Sequence, residues 1–300
     1  RSKLGWIAGV VLLAFSMGTY QAYVTLAIAL TLLVLFKETL TPGTTFRGTF
    51  RLGLSLAAYL AVGAALYYGI LMVFLKVKDL ELLSYLGMDA ASSGYPFASL
   101  PSLIFRSYKQ VVAFFFVPGS GDAFASPFMV VLDLLAGLLG LIFLVNCFRK
   151  RALLKEPWRL VGALVMLALL PLGMNFTQIL SPYSVPTPLM KYAFVCVYLA
   201  VFLLADQADA LPEPARLQKA ALSFTALWCA GVLLFCLNTN NLLYAASAQA
   251  HRATETYATR LMTRIESCPD YEPGMEIVIV GAISTDALQA DIPSYRQVAH

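Results

Sequence analysis

Charged side chains are scarce in this sequence. Asp, Glu, Lys and Arg make up 13% of the 300 residues, whereas about 25% is usual in a soluble domain. Hydrophobic residues account for 59%, above the roughly 45–50% of such domains. The few charges are clustered, which leaves several apolar runs of about 18 residues or more, long enough to cross a bilayer. The composition therefore excludes an ordinary soluble domain and predicts an integral membrane protein.

The signatures of soluble enzymes and metal sites are also missing. The sequence has two His and five Cys, and it contains no HExxH, CxxC, GxSxG or P-loop pattern. We therefore expect no His-centred catalytic site, no metal and no evident cofactor. The net charge of +4 does not indicate a nucleic-acid partner, because Lys and Arg in a membrane protein mostly mark its cytoplasmic loops.

The apolar runs predict an all-α membrane bundle of about seven transmembrane helices. Residues 4–36 are apolar over roughly 50 Å of helix, too long for one span of about 30 Å. They form either two short helices that meet near Gly18 or one long tilted or kinked helix. The other runs cover residues 52–75, 127–148, 158–175, 189–205 and 220–237. We assign residues 1–240 to the bundle, with an outer loop at 76–126, and residues 241–300 to a small extracytoplasmic segment.

The distribution of Lys and Arg predicts the orientation of the bundle. The densest basic cluster marks a cytoplasmic loop; it consists of Arg149, Lys150, Arg151, Lys155 and Arg159. Alternation then places residues 37–51 and 206–219 inside, and residues 76–126, 175–188 and everything after 238 outside. Arg1 and Lys3 lie inside only if residues 4–36 form a hairpin, so the same rule favours the hairpin.

Two segments outside the membrane have regular patterns. A helix is predicted over residues 101–115, lying in the outer interface with Arg106, Lys109 and Gln110 largely on its polar side. Its apolar stripe consists of Leu103, Ile104, Tyr108, Val111, Val112 and Phe115. A second helix follows the last span, with a stripe of Ala250, Ala253, Tyr257, Leu261 and Ile265. The apolar run 275–280 after it predicts a strand, and hence a small α/β segment that we expect to be truncated at His300.

Two ionisable residues stand out by position. Asp133 lies well inside an apolar run, where an acid usually has a function, although a residue near the outer end of its helix that simply faces protein is the alternative. Lys191 opens a span directly after a Pro-rich outer loop. A cation at this boundary can hold a lipid phosphate, and a snorkelling lysine that anchors a helix end is the alternative.

The run Ala-Phe-Ser-Met-Gly-Thr-Tyr-Gln-Ala-Tyr at residues 14–23, followed by a long apolar helix, resembles the bacterial O-antigen glucosyltransferase family often called glucosyltransferase II. The Pro-rich loop before Lys191 and Tyr192 agrees with it, as do the C-terminal helix and the short apolar strand before Gly281. The resemblance covers most of the chain. It implies a membrane glycosyltransferase of the GT-C class in the bacterial cytoplasmic membrane. Such an enzyme moves a sugar, here glucose, from a polyprenyl-phosphate carrier to a surface glycan such as the O-antigen of lipopolysaccharide.

The resemblance also implies where substrate binds. Many GT-C enzymes have Arg-Tyr near the position of Lys191 and Tyr192, where the Arg helps to hold the carrier phosphate; Lys offers a point charge instead of a bidentate fork. The candidates for substrate binding are Lys191, Tyr192, Arg106, Lys109, Tyr20 and Gln21. The catalytic acid of the family is expected upstream of Arg1. Within this chain the catalytic residue is therefore unknown, Asp133 and Asp122 are weak candidates, and the chain alone is expected to be inactive.

The expected partners are membrane lipid, the lipid-linked sugar donor and a glycan acceptor, with no nucleic acid. A transporter or flippase of lipid-linked glycans is an alternative. It would be expected to show inverted repeats or broken helices in matching halves, and one broken element is visible. A glycan polymerase or ligase and a non-catalytic subunit of glycan assembly also remain open.

Overall fold

The computed structural model describes residues 3–80, 97–117, 126–150, 156–182, 187–209 and 215–275. Within these ranges the chain forms nine α-helices and no strand: α1 (Lys3–Thr19), α2 (Tyr23–Leu40), α3 (Phe46–Lys78), α4 (Leu100–Phe116), α5 (Pro127–Lys150), α6 (Pro157–Met174), α7 (Phe176–Leu180), α8 (Cys196–Asp209) and α9 (Ala215–Glu266). Short 3₁₀-helices occupy Phe97–Ser99 and Pro188–Val195.

Six segments of the described chain are long and apolar enough to cross a membrane: Tyr23–Leu40, Phe46–Lys78, Pro127–Arg149, Pro157–Met174, Leu189–Gln207 and Leu222–Glu266. These apolar helices confirm the predicted all-α, multi-pass membrane architecture, but not the predicted number of spans. The strand predicted at 275–280 falls almost entirely outside the described residues, and so does Asp122.

The described residues fall into two compact units. One comprises those of 1–116 and 133–224, and the other those of 117–132 and 225–300. Helices α5 and α9 each contribute to both units. Every candidate site residue that the structure describes lies in the first unit.

The apolar segment at residues 4–36 is a helical hairpin. Its two helices, α1 and α2, are separated by a turn at residues 20–22. Four contacts with α3 show the direction of each helix: Tyr59 with Gly9, Gly63 with Leu13, Tyr67 with Gln21, and Gly53 with Leu35. Helix α1 therefore runs parallel to α3 and α2 runs back, so the alternative of one long helix is wrong.

Helices α2 and α6 pack antiparallel to each other in the core of the first unit. Near the end of α6, Gly173 lies against Ile28 and Leu32; near its start, Gly162 lies against Thr39. A Cβ added at Gly173 would come within 2.7 Å of Leu32, so the lack of a side chain permits this approach. Around it the core contains Ala29, Leu33, Leu170, Met174, Ala193 and Phe194.

A buried arginine binds the C-terminal end of α2, the end opposite the hairpin turn. Arg159, counted with the cytoplasmic loop cations in the sequence, lies in the first turn of α6 and is 1% exposed. Its Nε donates to the carbonyl of Thr39 at 2.9 Å, and a terminal nitrogen donates to the carbonyl of Leu40 at 2.9 Å. The other terminal nitrogen donates to Glu156 at 3.2 Å. Carbonyls at a helix C-terminus lack intrahelical donors, and Arg159 supplies two.

The outer helix predicted at residues 101–115 is present as α4, but its faces differ from the prediction. Its buried residues are Leu103, Ser107, Val111 and Phe115. Val112, placed in the apolar stripe, is 52% exposed. Gln110, placed on the polar side, is hydrogen-bonded to α7. The predicted polar face is therefore wrong for Gln110, because buried amide partners satisfy its side chain.

The last span and the helix after it are one continuous helix, α9, of 52 residues. The sequence analysis predicted a last span at 220–237 and a separate helix after it, from the stripe that begins at Ala250. No Pro or Gly occurs between Gly231 and Pro269, so nothing in the backbone ends the helix earlier. Polar side chains change the surface that a helix presents without interrupting its hydrogen bonds.

Candidate functional site

One end of the first unit collects the segments that carry most of the candidates. The hairpin turn at residues 20–22 and the C-terminal end of α6 lie together, because α2 and α6 are antiparallel. The 3₁₀-helix Pro188–Val195 packs on the same core, since Ala193 and Phe194 contact the cluster that contains Ala29 and Met174. The structure therefore brings together parts of the chain that are far apart in sequence.

Three tyrosines meet at this end and form what we call the tyrosine cluster: Tyr20, Tyr23 and Tyr192. The rings of Tyr20 and Tyr23 are edge to face with centroids 5.5 Å apart. The rings of Tyr23 and Tyr192 have centroids 6.0 Å apart. Tyr192 is 58% exposed, so the cluster presents aromatic surface outward. The sequence singled out Tyr20 and Tyr192 but not Tyr23, the residue that joins them.

Gln21 binds a partner that the sequence analysis missed. Its Nε2 donates to the hydroxyl of Tyr67 on α3 at 2.8 Å. Most of α3 is unburied, as expected for a helix surrounded by lipid. The sequence does contain an indication of this partner, because Tyr67 and Tyr68 place two hydroxyls inside a long apolar run. Gln21 and Tyr67 extend the polar surface at the hairpin turn.

Lys191 lies beside Tyr192 in the 3₁₀-helix and is partly buried. This helix is eight residues long, whereas 3₁₀ runs longer than about four residues are uncommon. It begins at Pro188, directly after extended backbone at Thr187. The cation is thus held in an unusual backbone segment at the same end of the unit as the tyrosine cluster.

Arg106 and Lys109 are not joined to this group. Both are exposed on α4. Within the described ranges, neither makes a hydrogen bond, ion pair or ring contact with Lys191 or the tyrosine cluster. The hairpin turn and the 3₁₀-helix therefore bring together four of the six predicted substrate-binding residues, Tyr20, Gln21, Lys191 and Tyr192, at one end of the first unit. The other two lie on the surface of α4.

A buried amide network attaches α4 to the break between α6 and α7. Asn175 Nδ2 donates to Gln110 Oε1 at 2.5 Å, Gln110 Nε2 donates to Gln178 Oε1 at 3.3 Å, and Gln178 Nε2 donates to the carbonyl of Pro182 at 3.3 Å. Asn175 and Gln178 are almost fully buried. The hydroxyl of Tyr108 also donates to the carbonyl of Ala168 in α6. These bonds fix α4 against the bundle.

Asp133, a weak catalytic candidate in the sequence, is buried in protein. Its carboxylate is buried, and its Oδ1 accepts a hydrogen bond of 2.7 Å from the hydroxyl of Tyr198 on α8. The part of the chain that the structure describes contains no group of three or more His, Cys, Asp or Glu side chains able to hold a metal ion.

Together, the helices and this surface define a multi-pass membrane protein with aromatic, amide and cationic side chains at one end of its bundle. A family model described as Glucosyl transferase GtrII matches residues 1–204 of the 300. The chain belongs to this family, and the resemblance drawn from its motifs is confirmed. No curated protein and no solved structure matches the chain. Membership of the family indicates a glycosyltransferase.

Proposed function

We propose that this protein transfers glucose from a polyprenyl-phosphate carrier to a surface glycan such as O-antigen, on the outer face of the bacterial cytoplasmic membrane. The observation that carries the proposal is the position of Lys191 at the end of the unit where the tyrosine cluster and Gln21 lie. A lipid-linked sugar has a phosphate, a sugar ring and an apolar tail, and this surface offers a group suited to each.

Lys191 is the group for the phosphate. Glucosyl transfer breaks the bond between sugar C1 and the phosphate oxygen and forms a bond from C1 to an acceptor hydroxyl oxygen. The carrier leaves as polyprenyl phosphate, and the hydroxyl proton passes to a base. A cation beside the departing phosphate stabilises the charge that develops there.

The tyrosine cluster and Gln21 are the groups for the sugar. Aromatic faces stack on the apolar side of a sugar ring, and amide side chains both donate and accept hydrogen bonds. The exposed ring of Tyr192 and the polar pair of Gln21 and Tyr67 provide both types of contact. The membrane-spanning segments beside them leave the carrier tail in lipid.

The charge distribution supports an outer location for this end. The opposite end of α2 carries Lys37, and Arg159 lies in the first turn of α6 there, shortly after Arg149, Lys150, Arg151 and Lys155 in the sequence. Cationic ends face the cytoplasm, so the tyrosine cluster faces outward. On this orientation the C-terminal segment is outside as well.

Substitution of Lys191 tests the proposal. In the full-length protein, Lys191→Gln is expected to weaken use of a polyprenyl-phosphate-glucose donor about tenfold or more, because hydrogen bonds to charged groups contribute about 1.5–3 kcal/mol. Lys191→Arg should retain activity. The matched control is Lys76→Gln, which removes an exposed cation from the end of α3. Identical donor titration curves for Lys191→Gln and the wild type would contradict the proposal. Movement of the donor across a vesicle membrane without transfer of its sugar would also contradict it.

A further inference from the structure

The buried pair of Asp133 and Tyr198 has no role in the proposed function. Asp133 is 5% exposed within an apolar span. Acids in such positions are costly to bury and usually have a function. A catalytic base must come within about 3 Å of the acceptor hydroxyl. The Asp133 carboxylate is instead enclosed by protein and bonded to Tyr198, which is the geometry of a structural acceptor.

Tyr198 lies just after the junction between the 3₁₀-helix and α8. The 3₁₀-helix ends at Val195 and α8 begins at Cys196. The ring of Tyr198 packs edge to face on Phe115 of α4, with centroids 5.7 Å apart. Phe194, the penultimate residue of the 3₁₀-helix, packs on the same Phe115 ring at 6.3 Å. Both sides of the junction therefore rest on one aromatic side chain of α4.

These aromatic contacts hold the junction against α4 and prefer an edge-to-face arrangement, but all of them come from one side of the junction. The hydrogen bond from Tyr198 to Asp133 is directional and ties the junction to a second helix, α5. The segment it controls is an eight-residue 3₁₀-helix, a conformation that rarely persists at this length. Lys191 and Tyr192 lie in the middle of it.

We propose that Asp133 and Tyr198 form a positioning pair that orients the 3₁₀-helix and thereby holds Lys191 and Tyr192 toward the lipid-linked donor. Asp133 acts as a hydrogen-bond acceptor and does not take part in the chemistry. This inference rests on the proposed function only for the identity of the donor, since the orientation of the 3₁₀-helix is measurable without it.

Kinetics of the full-length protein test the pair. Tyr198→Phe keeps the ring and removes the donor, so KM for polyprenyl-phosphate-glucose should rise about three- to twentyfold, the range measured for hydrogen bonds between membrane helices, with kcat little changed. Asp133→Leu should behave in the same way. Asp133→Asn keeps an accepting oxygen and should resemble the wild type. The control Tyr59→Phe removes the bond of 2.8 Å to the Gly9 carbonyl between α1 and α3, and should leave KM unchanged.

A second measurement reads the position of the 3₁₀-helix without activity. Cysteines replace Tyr23 and Tyr192, whose rings are 6.0 Å apart, after Cys229, Cys236 and Cys268 have been changed to serine. A short bifunctional thiol reagent should join the pair efficiently, and much less so when Tyr198→Phe is added. If crosslinking falls in this way but the wild-type protein transfers no sugar, the positioning pair stands and the proposed function fails.

Three results would overturn the inference. The first is Asp133→Asn abolishing kcat at an unchanged donor KM, which would show that the carboxylate takes part in chemistry. The second is Tyr198→Phe lowering the amount of folded protein while the remaining protein keeps its donor KM, which would show a purely structural bond. The third is unchanged crosslinking in Tyr198→Phe.

Discussion

Replacing Arg159 by methionine removes the charged group that caps the C-terminal end of α2. The side chain is 1% exposed and gives two hydrogen bonds of 2.9 Å to the carbonyls of Thr39 and Leu40. Hydrogen bonds to charged groups contribute about 1.5–3 kcal/mol each, and a buried acceptor left without a donor is penalised. Thr39 and Leu40 are themselves buried, so water cannot easily replace the guanidinium. We expect Arg159→Met to lower the free energy of unfolding by about 3–5 kcal/mol.

The ion pair with Glu156 contributes much less to this effect. Glu156 is 46% exposed and lies three residues before Arg159, directly ahead of α6, and exposed pairs of this kind contribute about 0–1 kcal/mol. Glu156→Gln is therefore the matched control. Arg159→Lys should recover part of the loss, since an ammonium group does not reproduce the fork that reaches two carbonyls.

Unfolding by SDS titration in mixed micelles, followed by circular dichroism, measures these differences. The expected order of stability is wild type, Glu156→Gln, Arg159→Lys and Arg159→Met. An Arg159→Met variant as stable as Glu156→Gln would refute the assignment of Arg159 as a cap. Arg159 would then be an ordinary cytoplasmic cation, as its place in the sequence first suggests.

Two further predictions concern orientation and the hairpin turn. An impermeant thiol reagent applied to spheroplasts should label Cys268, which is exposed, and should not label a cysteine introduced at exposed Arg149; the reverse pattern would invert the bundle. Native Cys147 is a poor reporter because it is fully buried. Tyr67→Phe removes the hydroxyl that Gln21 binds, so use of the lipid-linked donor should weaken about three- to tenfold. Tyr68→Phe, at a neighbouring exposed position, should have no effect on the same donor titration, and equal effects of both would show that Gln21 needs no partner on α3.

The sequence was sufficient for the features that depend on local pattern. An apolar run of about 18 residues or more is long enough to cross a bilayer, where the backbone must satisfy its own hydrogen bonds as a helix, so the helical character of the spans followed from composition. For residues 4–36 the length excluded one ordinary span and the position of Arg1 and Lys3 favoured the hairpin, while the choice between hairpin and long helix needed the contacts with α3. Helix α4 followed from its apolar spacing. For the spans and α4 the physical cause lies within one segment of chain, and the prediction could be made from that segment alone.

The features that depend on partners could not be predicted in this way. Tyr23 joins Tyr20 to Tyr192 only because α2 and the 3₁₀-helix are neighbours in space. The sequence pattern predicts that Gln110 is a surface residue, whereas in the structure Asn175 and Gln178 form hydrogen bonds with its amide. A polar side chain is assigned outward by pattern, whereas its real position depends on whether tertiary structure supplies its hydrogen bonds.

The length of α9 determines how far the helix extends beyond the bilayer core. At about 1.5 Å per residue its 52 residues extend for roughly 78 Å, while a bilayer core takes up about 30 Å. Counted from Leu222, where its membrane-spanning stretch begins, roughly 35 Å of helix remains beyond the hydrocarbon. This remaining length of helix exceeds the thickness of the bilayer core itself. Removal of seven residues would shorten the helix by about 10 Å and rotate its end by only about 20°, whereas removal of five would rotate that end by about 140°.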